Sequence, residues 1–423
     1  MSHCLILDIG KTNKKAFVFD EDYRIVFERS DTLPETVDDE GFPCEDINLL
    51  KNWILEVVTA VRSNARFQIK TANCSAYGAS FVHLDADYQP VAPIVNYLKP
   101  FPDELKDWFL AKYGPAQKLS LETASPFLGH LNSGLQLLWL KHCKPLIFNK
   151  IKYSLHLPHW ISFQVSQALS PQSLPTGQAG ALVNPPSEMT SIGCHTMLWD
   201  FQKNNYHKWV LKEGIVDKFP AINNSSAIFQ GAGMHDSSSA LLPYLACIDE
   251  PFILLSTGTW NIALSPFNYE PLTEHELKND CLCYISHHGQ QVKASRLFAG
   301  KEHEQAVTNL GLEKGGISSF QDAENFGEVG LRYLDFMQQL VDKQVFALNL
   351  VMTENIPKIF VDGGFSKNEI FMTLLAEAYP KQEVYAATVA QASALGAAVA
   401  IHDVWNYKPL PKELINMKRY FAR

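Results

Sequence analysis

The sequence predicts a two-lobed α/β protein built from a duplicated unit, on three observations. The chain has 423 residues, which divides most simply into two lobes of roughly 200 residues each. Apolar strand-like runs and helical periodicities both recur along its length. A strand, a glycine-centred polar turn and a returning strand occur near the start and again past the middle. At 46% hydrophobic residues, there is enough apolar side chain for two large cores.

The first of these patterns is Leu5-Ile6-Leu7-Asp8-Ile9-Gly10-Lys11-Thr12-Asn13-Lys14-Lys15-Ala16-Phe17-Val18-Phe19-Asp20. Two apolar runs around a short turn predict a β-hairpin. A Gly/Thr/Asn tip can aim backbone N–H groups and a hydroxyl at an anion. Lys11, Lys14 and Lys15 add positive charge, and Asp8 could face a metal or a water. The same residues also serve as a plain hairpin with a polar tip.

A third strand is expected from Tyr23 to Ser30, and residues 31–44, polar with Pro34 and Pro43, read as a loop. Helical spacing of Leu49, Leu50, Trp53, Ile54, Val57, Val58 and Val61 predicts a helix from Asp46 to Arg66. In Cys74-Ser75-Ala76-Tyr77-Gly78-Ala79-Ser80-Phe81-Val82-His83-Leu84-Asp85, small residues precede a strand, and Gly78 would let a ligand approach the backbone. A packed strand end explains these residues equally well. Val91 to Tyr97 is expected to be another strand. Asp103 to Tyr113, Leu135 to Cys143 and Asn204 to Glu213 read as helical, and Leu155 to Trp160 as a loop entering a helix over Ile161 to Ala168. His156 and His159 are packed or solvated rather than ligands on ordinary expectation. Residues 170–190, rich in Pro, Ser and Gly, read as a long loop.

A polar stretch at Asn223-Asn224-Ser225-Ser226 predicts a boundary, with lobes spanning 1–226 and 227–423. Behind it, Gly231-Ala232-Gly233-Met234-His235-Asp236 reads as a glycine loop with Asp236 opening a helix. Asp236 suits an N-cap there, or a general base beside glycines. The recurrence follows: Leu7-Asp8-Ile9-Gly10-Lys11-Thr12-Asn13 aligns with Leu255-Ser256-Thr257-Gly258-Thr259-Trp260-Asn261, Gly over Gly and Asn over Asn. This match implies an internal duplication, and two such tips facing a cleft could clamp a polyphosphate. Leu297 to Leu310 and Gly327 to Leu350 predict helices. Lys358 to Gly364 reads as a strand ending in Asp362-Gly363-Gly364, where a nucleotide could lie against the backbone. Ser366 and Glu369 fit a capping box, and Ala390 to His402 a small-residue helix.

Composition narrows the function. A net charge of −9 with mixed signs argues against nucleic acid or an anionic membrane as partner. No apolar run approaches the roughly 20 residues that span a bilayer, and Met1-Ser2-His3-Cys4 does not open a secretory signal. Eight scattered cysteines form neither a disulfide framework nor a zinc signature; the C-x-C spacing of Cys281 and Cys283, near His287 and His288, is wrong for a zinc knuckle. A reducing, cytoplasmic setting is expected.

Five motifs, in order, resemble those of the FGGY carbohydrate kinases: Asp8-Ile9-Gly10-Lys11-Thr12-Asn13, Gly233-Met234-His235-Asp236, Ser256-Thr257-Gly258-Thr259-Trp260-Asn261, Asp362-Gly363-Gly364-Phe365-Ser366-Lys367-Asn368 and Ala392-Ser393-Ala394-Leu395-Gly396-Ala397-Ala398. The resemblance implies a two-lobed actin-like or hexokinase-like ATPase fold, made of duplicated ribonuclease H-like domains. Within the family the chain is most similar to rhamnulokinases and fuculokinases: Tyr77 to Asp85 resembles the rhamnulokinase stretch Trp-Gly-Val-Asp-Phe-Val-Leu-Leu-Asp, and His235-Asp236 and Gly258-Thr259-Trp260 match the rhamnulokinase His-Asp and Gly-Thr-Trp. Ser80 stands where an acid occurs there, Tyr97-Leu98-Lys99 replaces Tyr-Arg-Asp, and Gln391 replaces a frequent Glu. The first two departures bear on the sugar, not on phosphate handling.

What the resemblance implies is ATP-dependent phosphorylation of a small sugar, a ketose such as L-rhamnulose or L-fuculose, by positioning and charge neutralisation. Asp236 would be the catalytic base and Asp8 the Mg²⁺ ligand. Gly10, Lys11, Thr12, Asn13, Lys14, Gly258 and Thr259 would hold phosphates. Gly363, Gly364, Asn368 and Gln305 would border the nucleotide, and Tyr77, Gly78, His235 and Asp236 the sugar. Lobe closure would exclude water. The expected partner is a small-molecule sugar, with no nucleic acid or membrane, in a monomer or homodimer. Xylulose, ribulose or a polyol as substrate, a non-sugar ATPase of the same fold, and a catalytically degenerate sugar binder are the alternatives.

Overall fold

The computed structural model describes residues 2–169, 184–222 and 231–423. The boundary expected near residue 227 and most of the 170–190 stretch lie outside the described residues. The chain forms two compact units. One comprises Met1–Pro243, Ile285–Gly289 and Gln391–Pro411; the other comprises Tyr244–Tyr284, Gln290–Ala390 and Lys412–Arg423.

The first unit contains β1 (His3–Ile9), β2 (Asn13–Phe19), β3 (Ile25–Thr32), β4 (Glu35–Val37), β5 (Pro43–Glu45), β6 (Ile69–Ala76), β7 (Phe81–Leu84), β8 (Tyr153–His156), β9 (Trp199–Asp200), β10 (Asn205–Tyr206) and β11 (Met234–His235). Its main sheet has the order β11-β6-β1-β2-β3. The hairpin β1–β2 is antiparallel, with Asp8 opposite Lys15. On its other side β1 runs parallel to β6, with Asp8 opposite Ser75, and β6 runs parallel to β11. The buried face of β1 (Leu5, Leu7, Ile9) packs with Leu50, Trp53, Ile54, Val57, Val58 and Val61 of the helix Ile47–Ser63, and with Trp160 and Ile161 of the helix Leu157–Leu169. The 3.6-residue spacing of those aliphatics places them on one stripe, and Asp46 caps the helix by accepting from the Asn48 and Leu49 amides. A second cluster gathers Phe81, Phe109, Leu135, Leu138 and Trp209. The returning segment adds the helix Ala392–Val399, packed on β1 and β6. There the Asn73 amide donates to the Ala397 carbonyl at 2.8 Å.

The second unit contains β12 (Phe252–Thr257), β13 (Asn261–Ser265), β14 (Cys281–Ile285), β15 (Gln291–Leu297), β16 (Lys358–Gly363), β17 (Glu383–Thr388) and β18 (Asn416–Tyr420). Its sheet runs β14-β15-β13-β12-β16-β17-β18. The core of that order repeats the first unit. A hairpin (β12–β13) has an antiparallel third strand (β15) on one side and two parallel strands (β16, β17) on the other. The topology bears out the duplication expected from residues 7–13 and 255–261, and with it the two-lobed α/β fold class.

Several local expectations change. Residues 31–44 carry the β4–β5 hairpin instead of a loop. Val91 to Tyr97 is not a strand: Pro93 lacks the N–H that a ladder needs, and only a bridge between Leu84 and Pro90 remains. Leu155 to Trp160 is the end of β8 running straight into the helix Leu157–Leu169. Between Asn204 and Glu213, β10 precedes a helix limited to Lys208–Lys212. The expected capping box is replaced by Asn368, whose side chain accepts from the Phe371 amide, while the Ser366 hydroxyl donates back to the Gly363 carbonyl. The small-residue helix stops at Val399, and Gln391 enters it with a left-handed backbone. Among the described residues, no helix is long and apolar enough to cross a membrane.

Candidate active site

In the first unit the parallel strands β1, β6 and β11 end side by side. Their carboxyl ends carry Asp8-Ile9-Gly10, Ala76-Tyr77-Gly78 and His235-Asp236. The C-terminal edge of parallel strands is where open α/β sheets bind ligands. The hairpin tip is closed by a Gly10 amide to Asn13 carbonyl bond of 2.9 Å. Thr12 and Asn13 are exposed at that tip. Lys11 is half-buried and pairs with Glu35 at 2.5 Å.

Lys14 behaves differently from the exposed phosphate contact expected of it. It is fully buried, and its ammonium donates to the Gly10 and Lys11 carbonyls at 3.1 and 3.0 Å. It also pairs with Glu45 at 2.5 Å. The other Glu45 oxygen accepts from the Tyr77 hydroxyl at 2.9 Å. Lys14 therefore ties the hairpin tip to β5 and to the end of β6. A buried charge needs such a partner, because desolvation is costly without one.

Asp8 is held by the Ser393 hydroxyl, which donates to Oδ2 at 2.9 Å. Burial pushes the Asp8 carboxyl up to about 6; the Ser393 bond opposes that shift, and the Asp236 charge adds to it. Two acidic oxygen donors of this kind fit a hard divalent cation such as Mg²⁺. Asp236 begins the helix Asp236–Cys247, and its side chain is 40% exposed. Its Oδ1 accepts from the Ser237 amide at 2.6 Å and lies 3.3 Å from His235 Nε2. Burial holds the His235 imidazole below its usual range. The His235 amide donates to the Thr190 hydroxyl at 3.0 Å, and that hydroxyl donates to Glu188 at 2.8 Å.

Gly78 fits because it has no Cβ: an added one would lie 2.7 Å from His235 Cδ2 and 2.8 Å from Cys194 Sγ. Tyr77 and Tyr97 pack edge-on at 6.2 Å. Ser80 is buried, and its hydroxyl donates to the Val95 carbonyl at 3.2 Å. The structure therefore brings Asp8, Gly10, Lys14, Tyr77, Gly78, His235 and Asp236 into one unit and one sheet edge.

In the second unit the ends of β12 and β16 are joined. The Thr257 hydroxyl donates to the Asp362 carbonyl at 2.5 Å and accepts from the Phe365 amide at 3.0 Å. Gly363 sits at φ +88°, and a Cβ there would lie 1.9 Å from the Thr257 carbonyl oxygen. Only glycine permits this turn. Gly258 and Thr259 are exposed at the tip of the β12–β13 hairpin, as the duplication predicts. Asn368 is buried, and besides capping the following helix it donates to the Ile317 carbonyl at 2.9 Å. Its side chain is committed to structure, so the border with a nucleotide expected of it would fall to its neighbours. Gln305 is exposed on the helix Ala299–Asn309, two positions from His303, whose ring packs 5.2 Å from that of Phe365.

Sequence reading missed Ser393, Glu45, Thr190 and the pair Cys194-His195. Ser393 lay inside a recognised motif but had no signal of its own; the others gain meaning only from contacts over long sequence separations. His156 is buried, as is His159, which lies 3.3 Å from Glu188. Cys281 and Cys283 are buried along β14.

The family model described as the N-terminal domain of the FGGY family of carbohydrate kinases matches residues 3–237. The model described as the FGGY carbohydrate kinase C-terminal domain matches residues 249–325. Among solved structures, the chain is similar to a carbohydrate kinase from Novosphingobium aromaticivorans, with TM-score 0.81 and 21% identity over 100% of this chain and 95% of that one. It is similar to a ligand-bound xylulose kinase from Lactobacillus acidophilus, with TM-score 0.77 and 16% identity over 100% and 94%. It is also similar to a Plasmodium falciparum glycerol kinase with ADP, with TM-score 0.75 and 16% identity over 100% and 94%. Likenesses at these identities carry the fold. No curated protein sequence matches the chain.

Proposed function

Since the chain belongs to the FGGY family of carbohydrate kinases, and is thus a sugar kinase, we propose that it transfers the γ-phosphoryl group of ATP to a hydroxyl of a small ketose such as L-rhamnulose or L-fuculose. The observation that carries the mechanism is the placement of two carboxylates, Asp8 and Asp236, at the carboxyl ends of β1 and β11, the strands on either side of β6, with Gly78 following β6 and packed on His235.

Asp236 takes the proton of the attacking sugar hydroxyl. Its partial exposure leaves it open to substrate, and the Ser237 amide and His235 orient it. Tyr77, Gly78 and His235 shape the sugar side. Lys11, Thr12 and Asn13 in the first unit offer charge, hydroxyl and amide groups to phosphate oxygens, and Thr259 in the second offers a hydroxyl, while Gly10 and Gly258 shape the two hairpin tips through the hydrogen bonds from their amides to the Asn13 and Trp260 carbonyls. The Gly363-Gly364 turn, flanked by Gln305's helix, offers bare backbone to the nucleotide. Asp8 would hold Mg²⁺, which when bound neutralises charge on the ATP phosphates. Lys14 supports the tip from beneath. The sugar side accordingly belongs to the N-terminal lobe and the nucleotide side to the C-terminal lobe. A cytoplasmic setting suits ATP use and the eight free cysteines.

The buried Ser80 leaves no acid where rhamnulokinases have one, which favours testing substrates beyond 6-deoxy ketoses. Xylulose, gluconate and glycerol, named for structures of similar fold, belong in the same panel. The test is a coupled ADP-release assay over these compounds, with Asp236→Asn in parallel. A ketose is expected to stimulate ADP release by the wild type only. Absence of stimulation by every sugar, or full activity in the Asn variant, defeats the reading.

A further inference from the structure

Beside the base, His235 also belongs to a second constellation, two of whose members, Cys194 and His195, have no part in phosphoryl transfer. Cys194 Sγ, a ring nitrogen of His195 and a ring nitrogen of His235 all lie within 4.8 Å of one another. Cys194 and His235 are 1% and 3% exposed. They come from different elements: Cys194 and His195 follow the short helix Met189–Ile192, and His235 ends β11. The His195 and His235 rings meet edge-on at 5.9 Å. The absent side chain of Gly78 makes the meeting possible, since a Cβ there would press on both Cys194 Sγ and His235 Cδ2.

We propose that Cys194, His195 and His235 form a binding site for a thiophilic divalent cation, Zn²⁺, whose occupancy blocks turnover. One thiolate and two imidazoles are a zinc donor set and a poor one for Mg²⁺, which takes oxygen ligands. With zinc–ligand bonds of about 2.0–2.3 Å, tetrahedral donor atoms sit roughly 3.3–3.6 Å apart, so side-chain adjustments on the order of 1 Å close the set. On binding, the metal replaces the Cys194 thiol proton, which leaves to solvent. Asp236 Oδ1 lies 3.3 Å from His235 Nε2, so a cation held on the His235 ring would sit close to the Asp236 carboxylate. A dication there attracts the Asp236 carboxylate and removes it as a proton acceptor. The site itself rests on the cluster geometry alone; the inhibition rests also on Asp236 being the base.

The test treats the whole chain with a chelator, then titrates it with Co²⁺ as a spectroscopic substitute for Zn²⁺. A thiolate-to-cobalt charge-transfer band saturating at a single equivalent is expected. Cys194→Ala should abolish it. His195→Asn should weaken binding at least about tenfold, the loss seen on removing even an outer-shell partner, and it keeps the test decisive if the alanine variant fails to fold. Zn²⁺ should inhibit sugar-stimulated ADP release, reversibly by chelator, and the half-inhibiting concentration should rise at least about tenfold in His195→Asn. Absence of the band in the wild type, or its persistence in Cys194→Ala, overturns the site. A saturated site with undiminished turnover overturns the inhibition. If no sugar stimulates ADP release even without Zn²⁺, the kinase reading fails while the Co²⁺ titration still decides the site.

Discussion

The hydroxyl of Ser393 donates a 2.9 Å hydrogen bond to Asp8 Oδ2, joining residues 385 positions apart. The bond holds down a carboxyl that burial raises to about 6. If ionised Asp8 is needed for turnover, Ser393→Ala should move the acid limb of the pH–rate profile to higher pH and leave the rate at pH 8 nearly unchanged. An unmoved limb would mean that Asp8 does not control it. Ser393 acts here as a positioning residue.

The same shift makes Asp8 a liability for stability. Its native pKa lies above its ordinary 3.8, so the native state binds the proton more tightly than the unfolded state does. That contribution is full below the ordinary value and is lost as pH rises through about 6. Asp8→Asn should therefore be more stable than the wild type at pH 8, by about 3 kcal/mol for a rise from 3.8 to about 6, while losing activity. The gap should close towards pH 4. Calorimetry across that range checks it, and an equally stable or weaker Asn variant at pH 8 would contradict the account.

Asp236→Asn should lower kcat by roughly 10²–10⁴-fold, the span of general-base catalysis. The sugar KM should change little, since shape and hydrogen-bonding reach are kept. Because the Asp236 side chain is 40% exposed, unfolding free energy should stay within about 0.5 kcal/mol of wild type. A large stability loss would instead mark Asp236 as structural.

The two glycines after Asp362 should separate fold from ligand. Gly363→Ala forces a side chain into positive φ and against the Thr257 carbonyl, and should cost more than about 1 kcal/mol. Gly364 has helical dihedrals and nothing within 4 Å of an added Cβ. Gly364→Ala should keep wild-type stability within about 0.5 kcal/mol and still raise the KM for ATP if the nucleotide lies on this backbone. An unchanged ATP KM would remove the turn from the nucleotide site.

Lys14 and Glu45 are buried together, with side chains 1% and 5% exposed. Glu45→Gln strands the ammonium and should cost about 3–5 kcal/mol. Lys14→Met should cost a similar amount, and the double variant far less than the sum. Urea midpoints for the four proteins of the cycle measure this; simple additivity would show that the pair is not coupled.

These residues also mark what was legible in the sequence. Asp8, Gly10, Asp236 and Gly363-Gly364 stood out because strand periodicity and turn chemistry are local, and the repeat of residues 7–13 at 255–261 carried the topology. Lys14 looked like one of three tip lysines open to phosphate, since nothing nearby in sequence announces that Glu45 lies beneath it. Val91 to Tyr97 looked like a strand by its apolar content, but Pro93 removed a donor that the pattern did not weigh. Cys194-His195 had no recognisable spacing with His235, because their meeting depends on the small size of Gly78.

The hydrogen bond from Asn73 to the Ala397 carbonyl spans 324 positions, and it dates the assembly of the first unit. A ribosome that has made only the N-terminal 243 residues has supplied β1 and β6 but not the helix that covers them. Gln391–Pro411 follows Tyr244–Tyr284 and Gln290–Ala390 of the second unit in the chain, and until it is made the Asn73 side-chain amide has no such acceptor and β1 and β6 lack the helix that covers them. Contacts of this range also slow folding, because the loop must close before they stabilise it. Expressed as a separate fragment, the N-terminal half would lack a piece of its own core, so the two-lobed division is a division of the finished molecule and not of the gene.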